Sequence, residues 1–305
     1  MNKYAYVAVI GLGAVSAMTW SGTSAAHDDV NPQTCEGYPE KRVFLESQVW
    51  WKDSTTNESE GRHVHMGTCF PLHQAVRGVV HFDVRIMAHN MENEGTIKAL
   101  RVQIFGNGSS DQFTTKVPLK LDCQSDDCMW WQGIDVDTGR VQYDGRWEFR
   151  ITANIPDTAQ GHRMYQTTRW HATLANGKPV RDKPNPARSP GAGGWYTGTG
   201  YMNVFCGIGG TGYDLVTRVQ SGVAKITCKF EGKNARAAID PAFHDEPPNE
   251  GTVLLNANSG GTHTITINTA SLSNGPHKLF LKTDATGVNG GTGSGVLILP
   301  FTVQN

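Results

Sequence analysis

The sequence predicts an all-β protein built from two antiparallel β-sandwich domains and stabilised by disulfides. Three observations carry this. Apolar and polar residues alternate with period two in one segment after another, turn-forming clusters separate those segments, and no stretch of helical period is long enough to compete. Val80, Phe82, Val84 and Ile86 point one way, while His81, Asp83, Arg85 and Met87 point the other. Leu100, Val102 and Ile104 repeat the pattern, as do Trp147, Phe149, Ile151 and Ala153, then Ala224, Ile226, Cys228 and Phe230, and finally Leu297, Leu299, Phe301 and Val303. Each reads as a half-buried strand with one wet face. Gly106-Asn107-Gly108, Asp144-Gly145, Ser259-Gly260-Gly261 and Asn274-Gly275-Pro276 supply the turns.

The 305 residues suffice for about two domains on the usual range of roughly 100–200 residues each. Residues 1–26 have the pattern of a signal peptide: Lys3, an apolar run from Tyr4 to about Ala17, and small residues ending Ser24-Ala25-Ala26. The apolar run is too short for a stable span, and no later run is long enough to cross a membrane as a helix. The expected division is therefore a signal peptide (1–26), an N-terminal sandwich (27–175), a linker or long loop (176–200) and a C-terminal sandwich (201–305). The tract from Asn176 to Gly200 earns its place as a boundary through four prolines and a run of glycines, which interrupt ladders and helices. Near the end, Leu272-Ser-Asn-Gly-Pro-His-Lys-Leu-Phe-Leu followed by Gly295-Val-Leu-Ile-Leu-Pro-Phe-Thr-Val303 resembles the last hairpin of immunoglobulin-like bacterial domains. The resemblance covers about thirty residues and implies a fold, not an activity.

Export places the six cysteines, Cys35, Cys69, Cys123, Cys128, Cys206 and Cys228, in an oxidising compartment, where they read as disulfide partners. Six cysteines allow fifteen pairings; proximity in sequence favours 35–69, 123–128 and 206–228. The charge is close to balanced, with 27 Lys and Arg against 28 Asp and Glu. Such a balance argues against a nucleic-acid partner, which needs a basic surface.

Several motifs reduce to turns. Gly207-Ile-Gly-Gly-Thr-Gly212 satisfies the dinucleotide spacing, but Tyr213-Asp-Leu-Val-Thr-Arg-Val reads as another strand where that site needs a helix. Asp135-Val-Asp-Thr-Gly139 starts like a calcium loop, yet Arg146 stands where the twelfth-position carboxylate belongs, so a hairpin turn is expected.

Aromatic and histidine residues give the functional expectations. Trp50-Trp51 and Trp130-Trp131 are adjacent pairs on strands, so one of each should be buried and the other more exposed. Exposed indole faces stack on sugar rings, and Trp195 and Tyr196 offer a further stacking surface; the ordinary alternative is that the outward rings are covered. Arg62-His-Val-His-Met66 puts His63 and His65 on one face of a strand, a spacing that can chelate a metal. Cupins also contain His-x-His, but their following glutamate is missing here. Cleavage after Ala26 would leave His27 at the N-terminus, as in histidine-brace copper proteins, and a Cys35–Cys69 disulfide would bring it towards His65. Two functions follow as expectations. The first is a secreted, extracellular, non-catalytic protein that binds polysaccharide or another cell-surface component through exposed aromatics. The second is a copper-dependent oxidoreductase acting on polysaccharide, with His27 and His63 or His65 as ligands.

Overall fold

A computed structural model describes residues 35, 38, 40–52, 62–72, 75–89, 97–106, 113–121, 127–155, 164–181, 189–196, 200–207, 212–241, 252–286 and 292–305. The expected signal peptide and His27 lie outside these residues. Among these residues, eighteen strands, numbered in chain order, form two nine-stranded and largely antiparallel sheets. Across the first sheet run β15 (Thr252–Ala257), β14 (Ala235–Ile239), β17 (Gly275–Thr286), β18 (Thr292–Val303), β1 (Arg42–Lys52), β2 (Arg62–Pro71), β4 (Val79–His89) and β7 (Asp127–Asp137). The short β12 (Val219–Gln220) adds to it in parallel beside β18. The second sheet runs β16 (Gly261–Asn268), β13 (Val223–Glu231), β11 (Gly200–Cys206), β10 (Gly191–Tyr196), β9 (Met164–Leu174), β8 (Gly145–Ile155), β5 (Ile97–Phe105) and β6 (Phe113–Leu121). There β3 (Ala75–Val76) lies parallel to β9.

The all-β sandwich follows from the alternation. Val80, Phe82, Val84 and Ile86 are buried, as are Leu100, Val102 and Ile104, Phe149 and Ile151, and Leu297 and Leu299. They join one core between the sheets, in which the Phe82 and Phe149 rings lie 5.0 Å apart across the layers. Burial of each such side chain stabilises the fold by about 1.5–3 kcal/mol. A polar knot sits within this core. The Gln166 amide donates to the Ser47 carbonyl at 2.8 Å and to its hydroxyl at 3.0 Å, and Thr168 donates to the same hydroxyl at 2.6 Å. These bonds fix the position of β1 against β9, because a buried polar group is costly unless it is bonded.

Strands from both halves of the chain share each sheet. β1 pairs with β18 from Glu46–Ile298 to Lys52–Thr292, and β10 joins β9 to β11. Part of the proline- and glycine-rich tract is therefore a strand, β10. Its glycines allow close approach: a Cβ on Gly193, whose φ is +140°, would stand 2.2 Å from the Met202 carbonyl. Gly295 of β18 makes the matching approach from the other sheet, where an added Cβ would stand 2.0 Å from that same oxygen.

Two local expectations are corrected. Residues after the glycine-rich turn form not a strand but α1 (Gly212–Thr217), which buries Tyr213 and Leu215 against the core. Asp135–Gly139 does not close a hairpin, because β7 and β8 belong to different sheets. The Asp137 carboxylate accepts from the Gly139 amide and starts a single 3-10 turn that carries the chain across. β17 and β18 do form the expected last hairpin.

Disulfides join Cys35 to Cys69 and Cys206 to Cys228. Cys123 and the side chain of Cys128 lie outside the described residues. No helix among the described residues is long and apolar enough to cross a membrane.

Candidate metal centre

The outward face of the first sheet carries the site, and strand pairing sets it out in rows. Alternation turns Leu45, Ser47 and Val49 of β1 inward, so Glu46, Gln48 and Trp50 point out. The same rule turns His63, His65 and Gly67 of β2 outward, together with Arg85, Met87 and His89 of β4. Register then aligns Trp50, His63 and His89 in one row, Gln48, His65 and Met87 in the next, and Glu46, Gly67 and Arg85 in a third.

His63, His65 and His89 converge. One ring nitrogen of each lies within 4.8 Å of those of the other two, and all three residues are buried. His63 and His89 stack with centroids 4.4 Å apart, and His65 meets their edges at 4.9 and 5.2 Å. Trp50 covers the far side of His63, nearly parallel at 3.7 Å. A tetrahedral ion with nitrogen bonds of about 2.0–2.1 Å spaces its ligands about 3.3 Å apart. The ring nitrogens, at up to 4.8 Å, would have to close by up to about 1.5 Å to reach that spacing.

The β1 residues orient the cluster. His65 Nδ1 donates to Glu46 Oε1 at 2.7 Å, Gln48 Nε2 donates to the same oxygen at 3.1 Å, and Trp50 Nε1 donates to Gln48 Oε1 at 3.2 Å. Because a carboxylate only accepts, this chain places a proton on His65 Nδ1 and leaves Nε2, a buried atom with no hydrogen-bond partner among the described residues, as the nitrogen that can ligate. A ligating histidine held by a carboxylate through its other nitrogen is the usual arrangement around a metal. Burial pushes the Glu46 carboxyl up, but the bond to His65 and its charge outweigh this and hold it down at about 2. Arg85 faces the same carboxylate: burial lowers its pKa and the charge of Glu46 opposes that.

The structure thus brings His63 and His65 together and adds His89, Glu46 and Gln48, which sequence reasoning did not single out. A signal for His89 was present, since continuing the β4 alternation past Met87 reaches it. His27 lies outside the described residues. Trp51 is buried and Trp50 half-buried, while Trp130 is half-buried against the core and Trp131 is 41 % exposed. The side chains of Trp195 and Tyr196 are not among those described. Beyond the cluster, His81 lies exposed between Asp83 and Asp135, and its bond to Asp135 raises its pKa. No protein-family model and no curated protein matches this chain.

Proposed function

We propose that this is an exported metal-binding protein whose single-ion centre is His63, His65 and His89. The observation that carries the reading is the convergence of three buried imidazoles with His65 held through Nδ1 by an ionised carboxylate. Export is supported by the signal-like pattern of residues 1–26 and by the two disulfides. Three packed imidazoles repel one another when protonated, and a metal ion uses their lone pairs instead. The copper-dependent oxidoreductase reading, with His27 and His63 or His65 as ligands, shares two histidines with this centre, and its His27 lies outside the described residues. The test is metal titration of the chelator-stripped secreted protein with Zn(II) and Cu(II). One equivalent per chain is expected, and His63→Ala, His65→Ala and His89→Ala should each abolish tight binding. Failure of the folded protein to bind either ion stoichiometrically would overturn the proposal.

A second reading rests on Trp131 and Met129, which are 41 % and 54 % exposed on the edge strand β7. Trp131 lies on the same face as the histidines, with the Arg85 guanidinium 5.8 Å from its centroid. An exposed indole fixed in this way suits stacking on a sugar ring, so polysaccharide or a cell-surface glycan is the partner proposed. Trp131→Ala should weaken retention on a bound glycan about 5–30-fold, equivalent to ~1–2 kcal/mol. A broad glycan screen without any binding would remove this reading.

A further inference from the structure

Two consecutive outward pairs link β2 to β4: His63 opposite His89, and His65 opposite Met87. Directly opposed residues on one face have Cβ atoms about 4.5–5.5 Å apart. Successive pairs on that face are separated by about 6.6 Å along the strands. The four side chains therefore occupy the corners of a small rectangle, three of them imidazoles and the fourth a thioether. Met87 is half-buried, unlike the more exposed Met129 beyond it in the same row. With three rotatable bonds, a methionine side chain at that corner can direct its sulfur over the rectangle.

Resting on the three-histidine reading above, we propose that Met87 is the fourth donor and that the site is selective for copper, taking it as Cu(I). Imidazole alone suits zinc, copper, iron and nickel, whereas a soft thioether favours Cu(I) over zinc. Met87 thus supplies the feature of the cluster that separates copper from zinc. Met66 provides an internal comparison, since it belongs to β2 but is buried on the inward face.

The test measures Cu(I) and Zn(II) affinities by chelator competition for the wild type, Met87→Leu and Met66→Leu, together with X-ray absorption of the Cu(I)-loaded proteins. Leucine preserves volume, so both variants should fold. Met87→Leu is expected to weaken Cu(I) about 10–100-fold and Zn(II) less than about threefold, and Met66→Leu to change neither. The wild type should show one sulfur scatterer at about 2.3 Å that Met87→Leu lacks. Wild-type binding without a sulfur scatterer, or with Cu(I) affinity unchanged in Met87→Leu, would overturn the role of Met87 and leave the three-histidine site standing. Equal losses in both variants would show a packing effect and overturn it as well. If the wild type binds neither ion, the inference and the metal reading both fail.

Discussion

Replacing Glu46 separates what charge and hydrogen bonding each contribute to the histidine cluster. Glu46 accepts from both His65 and Gln48 at the same oxygen, Oε1. The carbonyl of Glu46→Gln can keep both bonds and lose only the charge, whereas Glu46→Leu leaves two buried donors without an acceptor. Outer-shell partners of this kind typically change metal affinity 10–100-fold, or about 1.4–2.7 kcal/mol. Glu46→Gln should fall near the tenfold end and Glu46→Leu near the hundredfold end. Stability of the metal-free protein gives a second magnitude. The Glu46 carboxyl is held down at about 2 against an ordinary 4.5, so its ionised form stabilises the fold by roughly 3 kcal/mol above the ordinary carboxyl range. Because the folded value is the lower one, that stability is lost as the pH falls towards 2. Glu46→Gln should therefore cost roughly this amount at pH 6, and Glu46→Leu a further ~1–3 kcal/mol for each orphaned donor. Chelator competition and urea unfolding read the two effects. Wild-type metal affinity in both variants, with the wild type binding normally, would refute the idea that Glu46 orients His65.

Elsewhere, charge in the core should be far less tolerated than loss of a surface pair. Val80→Asp and Phe149→Asp each place an unpaired carboxylate in the core at a cost of several kcal/mol and should abolish the yield of soluble folded protein, while His81→Ala, which removes only the exposed pairs to Asp83 and Asp135, should cost ~1 kcal/mol or less. Equal yields would refute the assigned strand facing. A pH-dependent anchor lies at the other end of the first sheet. His277 bonds Asp240 through Nδ1 at 2.5 Å and the Ser273 carbonyl through Nε2 at 2.8 Å; burial lowers its pKa, but these two acceptors outweigh that and raise it. Its contribution should be complete below about pH 6.5 and fade as the pH rises through the raised value. Asp240→Asn should cost ~1 kcal/mol at pH 5.5 by urea unfolding, with a smaller difference from wild type at pH 9. A difference independent of pH would contradict the charged form of the pair.

The parts of the fold legible in the sequence are those whose side chains alternate. The inward faces of β4, β5, β8 and β18 could be read directly, because burial of one face imposes period two. β10 could not, because Gly191, Gly193 and Gly194 carry no side chains to show a pattern, and the same glycines that suggest a linker permit close backbone approach. α1 escaped because six residues hold too few turns for a helical period, and Tyr213, Leu215 and Val216 suit either element. The division at 176–200 followed composition, whereas pairing of β1 with β18 depends on contacts between residues some 250 positions apart. Within the centre, His63 and His65 were visible because i and i+2 share a face. The β4 alternation puts His89 on the outward face, but bringing it and Glu46 to the cluster needed the register of neighbouring strands, which no local spacing encodes.

Anomalous diffraction from crystals of the copper-loaded protein tests the central claim most directly. Data on both sides of the copper edge should show one strong peak per chain, about 2.0–2.1 Å from a ring nitrogen of each of His63, His65 and His89. That peak should vanish in His89→Ala crystals of the same fold. A peak at another site, or none beside three intact imidazoles, would contradict the assignment of this cluster as a metal centre.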